Sequence, residues 1–315
     1  MTYIKTLGSI ENLFVYEVKQ GGSAITILVF RHNKGRVDVM NELIQIDAIE
    51  ITRFVSYMFS RFKHVKLISF HAIQLGKGHI SFPYHACHQL EDVVVSLPQS
   101  IESYLAMLGS ATRKTIRKYQ KKVKNDFPSY DFQVFTNEDI DARTITEIFA
   151  LKSARMRSKN QVFVLREEEI EQTLHLVKQC GLVAVILIDG RICAGSISYR
   201  VGSNYFLKVS THDPKFNGHR LGTLSCFLTI CECIKRGGKE CHLLWGLSEY
   251  KFKFLGIQRN FDNVTVYRSK IQLLANASIA LSMMFQRLIR KLKTWPYACR
   301  KQKFLRIFST RIEPE

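Results

Sequence analysis

The chain has 315 residues, 46% of them hydrophobic, and only six prolines. That is enough apolar material for two domains or one large one, and it argues against a long disordered linker. The 46 Lys and Arg exceed the 27 Asp and Glu to give a net charge of +19, a self-repulsion relieved by an anionic partner such as a phosphorylated cofactor, RNA, an acidic glycan or an anionic membrane surface.

The N-terminal "MTYIKTLGSIENLF" lacks the long apolar core expected of a signal peptide. Residues 12–32 hold two β-rich runs around Gly21-Gly22, a hairpin signal. "RVDVMNELIQI" reads as a strand, "AIEITRFVSYMFSRF" as an amphipathic helix and "HVKLISFHAI" as a short apolar strand. "HACH" (His85, Cys87, His88) lacks a second ligand cluster and is expected to be a strand-end loop rather than a metal site.

A helical stretch follows. Pro98 and Ser100 open "SIESYLAML", with Ser100 as the expected cap, and Ser110 is a second cap candidate. From Arg113 to Lys124 the chain carries seven cations and no acid. On a helix, Arg113, Arg117 and Lys121 share one face. That face is either solvated or a wall along an anionic substrate, CoA or RNA. "DARTITEIFALKSARMRSK" and "REEEIEQTLHLVKQC" are further amphipathic helices.

Residues 182–210 repeat the opening pattern, with Asp189-Gly190 as the hairpin signal and a third strand after Gly202. Next come the loop "THDPKFNGHRLG", a helix over 223–236 and the strand "CHLLWGL". Both halves thus run hairpin, strand, helix, strand, which points to two similar α/β domains. Cys226, Cys231, Cys233 and Cys241 cluster without a C-x-x-C pair. They are expected to be reduced, buried thiols with no metal, as in a cytoplasmic protein. The longest uncharged apolar run, 271–286, is shorter than the ~20 residues a membrane span needs. The segment 270–315 turns strongly basic. It is either a helical tail docked on the domain or a peripheral contact with the inner face of an anionic membrane.

The chemistry centres on the loop before 223–236. A helix N-terminus offers unpartnered N–H groups and a positive dipole. Lys215, His219 and Arg220 add charge, Gly218 and Gly222 permit close backbone approach, and Thr223 begins the helix. An ordinary turn is the alternative. Downstream, Tyr250 is a candidate proton donor and Lys251 a candidate oxyanion or phosphate partner, while Glu249 and Asp213 are candidate bases.

This order of elements resembles the GNAT superfamily of acyl-CoA-dependent N-acyltransferases. With Gly222 aligned to the first glycine of its Q/R-x-x-G-x-G/A loop, His219 falls at the Q/R position and Leu224 at the small position. "SLPQSIESYLAMLGSATRKTIRKYQKKV", "LIDGRICAGSISYRVGSNYFLKVSTHDPKF" and "LWGLSEYKFKFLG" resemble, in the same order, the signatures of the FemAB-like acetyltransferases associated with cellulose biosynthesis. The resemblance spans about residues 90–270. It implies an α/β protein with two GNAT-like mixed-sheet domains in tandem, divided as 1–95 (a degenerate copy), 96–160 (helical connector with the basic helix), 161–269 (acyltransferase domain) and 270–315 (basic tail).

It also implies acetyl-CoA or another acyl-CoA as donor, held by Lys215, Gly218, His219, Arg220, Gly222 and Thr223. Tyr250, Lys251 and Glu249 would serve catalysis, and Arg113, Arg117, Lys121 and Asp213 the substrate. The acceptor would be an amine, with an anionic glycan or a cell-envelope precursor among the candidate classes. Two other readings stay open: a FemAB-type transferase using aminoacyl-tRNA, and a non-catalytic GNAT-fold module on a membrane or nucleic acid.

Overall fold

The structure, a computed structural model, describes residues 13–161 and 164–277. Strands β1 (Leu13–Gln20) and β2 (Ser23–Asn33) meet at Gly21 and Gly22, whose φ angles of 58° and 82° are those a two-residue hairpin turn requires. The run expected as one strand is two, β3 (Arg36–Val39) and β4 (Ile44–Ile46), separated where Leu43 takes a φ of 57°. Helix α1 (Ala48–Arg61) buries Ile51, Phe54, Val55 and Met58 along one stripe, and β5 (Leu67–Leu75) follows. Strand β6 (Tyr84–Ser96) contains His85, Cys87 and His88. "HACH" is therefore strand, not loop: Cys87 is buried, His88 lies beside Asp262, and His85 meets the Tyr267 hydroxyl at 3.1 Å.

Helix α2 (Ile101–Met107) starts at Ser100, whose hydroxyl accepts from the Ser103 N–H. The basic helix α3 (Ser110–Asp126) buries only Ile116 and Val123. Strand β7 (Asp131–Thr136) leads to α4 (Ala142–Arg157), capped by Asp141, and then to α5 (Glu167–Cys180). Strands β8 (Gly181–Ile188) and β9 (Arg191–Val201) turn at Asp189 and Gly190, both with positive φ. Strand β10 (Asn204–His212), a 3-10 turn over Pro214–His219 and helix α6 (Leu221–Lys235) come next. Of the expected strand "CHLLWGL" only Cys241 and His242 are strand, in β11 (Glu240–His242). The chain continues through α7 (Glu249–Lys253), β12 (Ile257–Tyr267) and α8 (Lys270–Ala275). The rest of the expected basic tail lies outside the described residues.

Two compact units result. One comprises Glu91–Arg259, the other 13–90 and 260–277 of the described residues. In the second, β1, β2 and β3 are antiparallel neighbours, α1 crosses over, and β5 returns parallel to β3 and β4. Strand β12 closes this sheet antiparallel to β5, placing Val264 and Val266 in the core with Val37, Val39 and Phe70. In the Glu91–Arg259 unit, β8, β9 and β10 are antiparallel neighbours, α6 crosses over, and β11 returns parallel to β10. Strand β6 closes that sheet antiparallel to β11. The closing strand of each unit thus comes from the other half of the chain. Strand β7 pairs with β8, and α4 packs on β9 and β10, so residues 131–157 belong to this unit. One core lies between the sheet and α6, with Tyr104, Leu224, Phe227 and Ile230; another lies under α4 and α5, with Ile145, Ile148, Phe149 and Val177. Among the described residues no helix is long and apolar enough to cross a membrane.

Candidate active site

The feature that sets the Glu91–Arg259 unit apart is a break between parallel strands. Strands β10 and β11 pair over only Asn204–Phe206 and Glu240–His242. Beyond that, β10 runs on to His212 beside β9 alone, with a bulge between Leu207 and Val209 that throws Lys208 out of register. The segment after β11 turns away at Leu244, whose φ is 53°. In the other unit the same position is filled, because β4 pairs with β5 after β3 has ended.

Lys251 holds the departing segment. It is 5% exposed, and its ammonium donates to the carbonyls of Leu243 (2.7 Å), Leu244 (2.9 Å) and Trp245 (2.9 Å). Three donors meet three acceptors, so the ammonium is saturated. Burial lowers its pKa to about 8, opposed in part by Cys226 and Asp92. The root of the break is braced by a buried pair, His242 Nδ1 and Asp92 Oδ2 at 2.6 Å, with the His242 ring stacked on Phe206.

The loop at the end of β10 has a built shape. Asp213 caps its 3-10 turn by accepting from the Lys215 N–H at 2.9 Å. Arg220 adopts a left-handed φ of 53° and starts α6 without a side-chain cap. The N–H groups of Thr223 and Leu224 return to the Arg220 carbonyl. The first-turn donors not spent on that carbonyl are those of Leu221 and Gly222. A Cβ on Gly222 would stand 2.4 Å from Nδ1 of His212, so only glycine lets the helix start this close to β10. That Nδ1 is buried with no partner, while Nε2 meets Asn217 Oδ1 at 2.8 Å. Burial, reinforced by Arg155 and Lys159, lowers the His212 pKa. Lys215 and Arg220 are exposed. Gly218 has open space where a Cβ would be, so no close approach requires glycine there.

His219 is tied to the basic helix. Its Nε2 meets Asp126 Oδ2 at 2.9 Å and its ring packs against Phe127, while Lys122 reaches the Gly218 carbonyl at 3.4 Å. Leu224, at the position where a small residue was expected, is buried in the core facing α6 and does not enter the loop. Arg113 leaves the expected cationic wall. Its Nη1 donates to the carbonyls of Leu105, Ala106 and Leu108, closing the end of α2. The exposed cations of α3 are Lys114, Arg117, Lys118, Lys121, Lys122 and Lys124. Tyr250 is half-buried against Phe254, and burial raises its pKa. Glu249 is largely solvated and paired with Lys253 at 2.8 Å.

Lys152, Arg155, Lys159, Lys208 and His212 belong to no sequence motif, yet they lie near the break. Arg155 Nη1 donates to the Ser210 carbonyl of β10 at 3.0 Å, which brings this face of α4 beside the break. The spacing Lys152-x-x-Arg155-x-x-x-Lys159 was the available signal. A polar recess of about 340 Å³, lined by Arg200, Arg236, Tyr205 and Cys180 among others, lies where β8 and β10 begin, away from the break.

The parted strands and the basic strand-to-helix loop both lie within a stretch that a known family model matches. Residues 110–252 match the family model described as an acetyltransferase (GNAT) domain, and the chain is a transferase. No curated protein matches the sequence. Among solved structures, the chain is similar to the C-terminal DUF2156 domain of a putative lysylphosphatidylglycerol synthetase from Agrobacterium fabrum, at 13% identity over 90% of each chain and a TM-score of 0.54. It is similar to L-PGS from Bacillus licheniformis, at 14% identity over 92% and 91% of the two chains and a TM-score of 0.53. It is similar to FemX, at 7% identity over 80% and 88% and a TM-score of 0.56. At these identities the likeness is one of fold, and it extends over both units.

Proposed function

We propose that the chain is an N-acyltransferase that moves an acyl group from acyl-CoA to an amine by direct attack. The observation that carries this reading is the close approach of Gly222 to His212 at the mouth of the parted strands. There the first-turn N–H groups of α6 and the charges of Lys215 and Arg220 favour a phosphate. Acyl-CoA supplies an activated thioester when bound. The N–H groups of Leu221 and Gly222, presented by the left-handed turn at Arg220, form the backbone cradle, and Lys215 adds a charge at its rim. Tyr250, protonated at neutral pH, donates a proton to the departing thiolate and recovers one from the proton that the attacking amine gives up as the C–N bond forms and the C–S bond breaks. Lys251 is a positioning residue: by fixing three carbonyls it keeps the strands apart so that backbone groups of β10 face the donor rather than a neighbouring strand.

On this reading the unit built on 13–90 is the degenerate copy. Strand β4 occupies the gap, and Asp47, which precedes α1 and accepts from the Lys77 N–H at 2.9 Å, puts a carboxylate where a phosphate would bind. The test is titration calorimetry with acetyl-CoA. The wild-type chain is expected to bind saturably, and Gly222→Trp to lose binding while keeping its circular dichroism. A wild-type chain that does not bind acetyl-CoA removes the proposal.

The six exposed cations of α3, unmatched by an acid until Asp126, favour a second reading with aminoacyl-tRNA as donor. Binding of charged tRNA that is indifferent to CoA and falls steeply with salt would select it.

A further inference from the structure

Helix α4 and strand β10 carry cations that donor binding does not use. Lys152 and Arg155 are three residues apart on one face of α4, and Lys159 lies in the turn just past its end, where its N–H returns to the Met156 carbonyl. Arg155 fixes that face to β10 through the Ser210 carbonyl. Lys208, displaced by the bulge, is exposed, with its ammonium 5.6 Å from the centre of the Trp245 ring. These charges act on one another. Lys208 disfavours the charged form of Lys152, Arg155 that of Lys159, and Arg155 and Lys159 together that of His212. Glu169 acts on Lys152 and Asp213 on His212 in the opposite sense, two acids against four Lys and Arg. Lys152 and Arg155 are also half-buried, where repulsion between like charges is less screened than in water.

A second observation comes from the strand. Thr211 is 1% exposed, and its hydroxyl oxygen is buried without a partner. It pairs across the sheet with Gly195, where a Cβ would meet Ile148 of α4 at 2.6 Å. Cross-strand neighbours share a face, so this hydroxyl lies on the α4 side of β10, the side of the cationic row.

We propose that Lys152, Arg155, Lys159 and Lys208 bind a phosphate group carried by the acceptor, which is therefore a phosphorylated amine. Calling the ligand the acceptor rests on the acyl-transfer reading; the phosphate site does not. A phosphate fits better than a carboxylate because it brings up to two charges and three acceptor oxygens to a cluster of four cations, and Arg155 can meet it with two parallel N–H donors.

The experiment is calorimetry on the full chain with three probes: ethanolamine phosphate, ethanolamine, and phosphatidylethanolamine in nonionic micelles. At least one phosphate-bearing amine is expected to bind about tenfold or more tighter than ethanolamine, as charge-assisted bonds to phosphate allow. The soluble and micellar arms tell a free phosphate from a lipid headgroup. Lys159→Ala with Lys208→Ala is expected to weaken that binding about tenfold, while Lys118→Ala on α3 leaves it unchanged. Acetyl-CoA affinity should be the same in all three proteins. If neither phosphate-bearing amine exceeds ethanolamine, or if Lys118→Ala weakens binding as much as the double variant, the site is not there. Failure of acetyl-CoA to bind the wild type would instead remove the donor reading and leave the phosphate result standing.

Discussion

His212 shows how one side chain can couple the loop to solution conditions. Burial holds its folded pKa below the ordinary 6.5. As pH falls through 6.5, the unfolded chain takes up a proton that the folded chain does not, so stability is lost on the acid side. His32 and His85 are displaced in the same direction, each mainly by burial. Urea unfolding free energy is therefore expected to drop between about pH 7 and pH 5.5, and His212→Gln should make that slope shallower. Equal slopes in the two proteins would show that the imidazole is as solvated in the folded chain as in the unfolded one. The contact that creates this environment, Gly222 against His212, joins residues ten apart in sequence. The loop's glycines were visible in the sequence, but not which of them faces a side chain. Gly222 proves to be sterically required, whereas Gly218 faces open space.

At the scale of elements, the short helix α7 does more than its five residues suggest. Lys251 reaches from α7 to three successive carbonyls of the segment that has left the sheet. Removing the ammonium leaves those acceptors without their charged donor. Lys251→Met, which keeps the length and apolar stem, is expected to cost about 3 kcal/mol in urea unfolding, within the range for hydrogen bonds to a charged group. It should also reduce acetyl-CoA binding, because the segment is no longer held away from β10. A variant with wild-type stability would mean that water replaces the ammonium without loss.

Element types are more legible in the sequence than roles. The turns at Gly21-Gly22 and Asp189-Gly190, the Ser100 cap and the amphipathic stripes of α1, α4 and α5 are local, and each sits where the residue pattern put it. Arg113 was grouped with Arg117 and Lys121 by periodicity. Its actual partners are carbonyls at the end of the preceding helix, which no periodicity encodes. The long strand expected through Leu247 stops at His242 because a lysine nine residues later competes for its carbonyls.

For the whole molecule, the exchange of closing strands makes a specific demand. The unit built on 13–90 needs β12 for Val264 and Val266 in its core. It also needs Arg268, which donates to the carbonyls of Phe59, Phe62 and Val65. The other unit needs the end of β6 for Val93 and Val95. Fragments 1–97 and 98–315 are each expected to remain unfolded when expressed alone. Together they should recover α/β circular dichroism and co-elute on size exclusion. Each missing pair of core valines is a deficit of several kcal/mol, since burying one such side chain is worth about 1.5–3 kcal/mol. A cooperative unfolding transition in either fragment by itself would show that its sheet does not depend on the borrowed strand.

The sequence by itself determined the local grammar: two successions of hairpin, strand, helix and strand, a basic loop before a helix, and a surplus of positive charge. These follow from backbone preferences and side-chain periodicity, which act over a few residues. The tertiary structure alone decided where parallel strands part, which glycine must be glycine, that one lysine is spent on three carbonyls and that α4 brings its cations to β10. Those are consequences of packing between residues far apart in the chain, where geometry rather than residue type selects the partner.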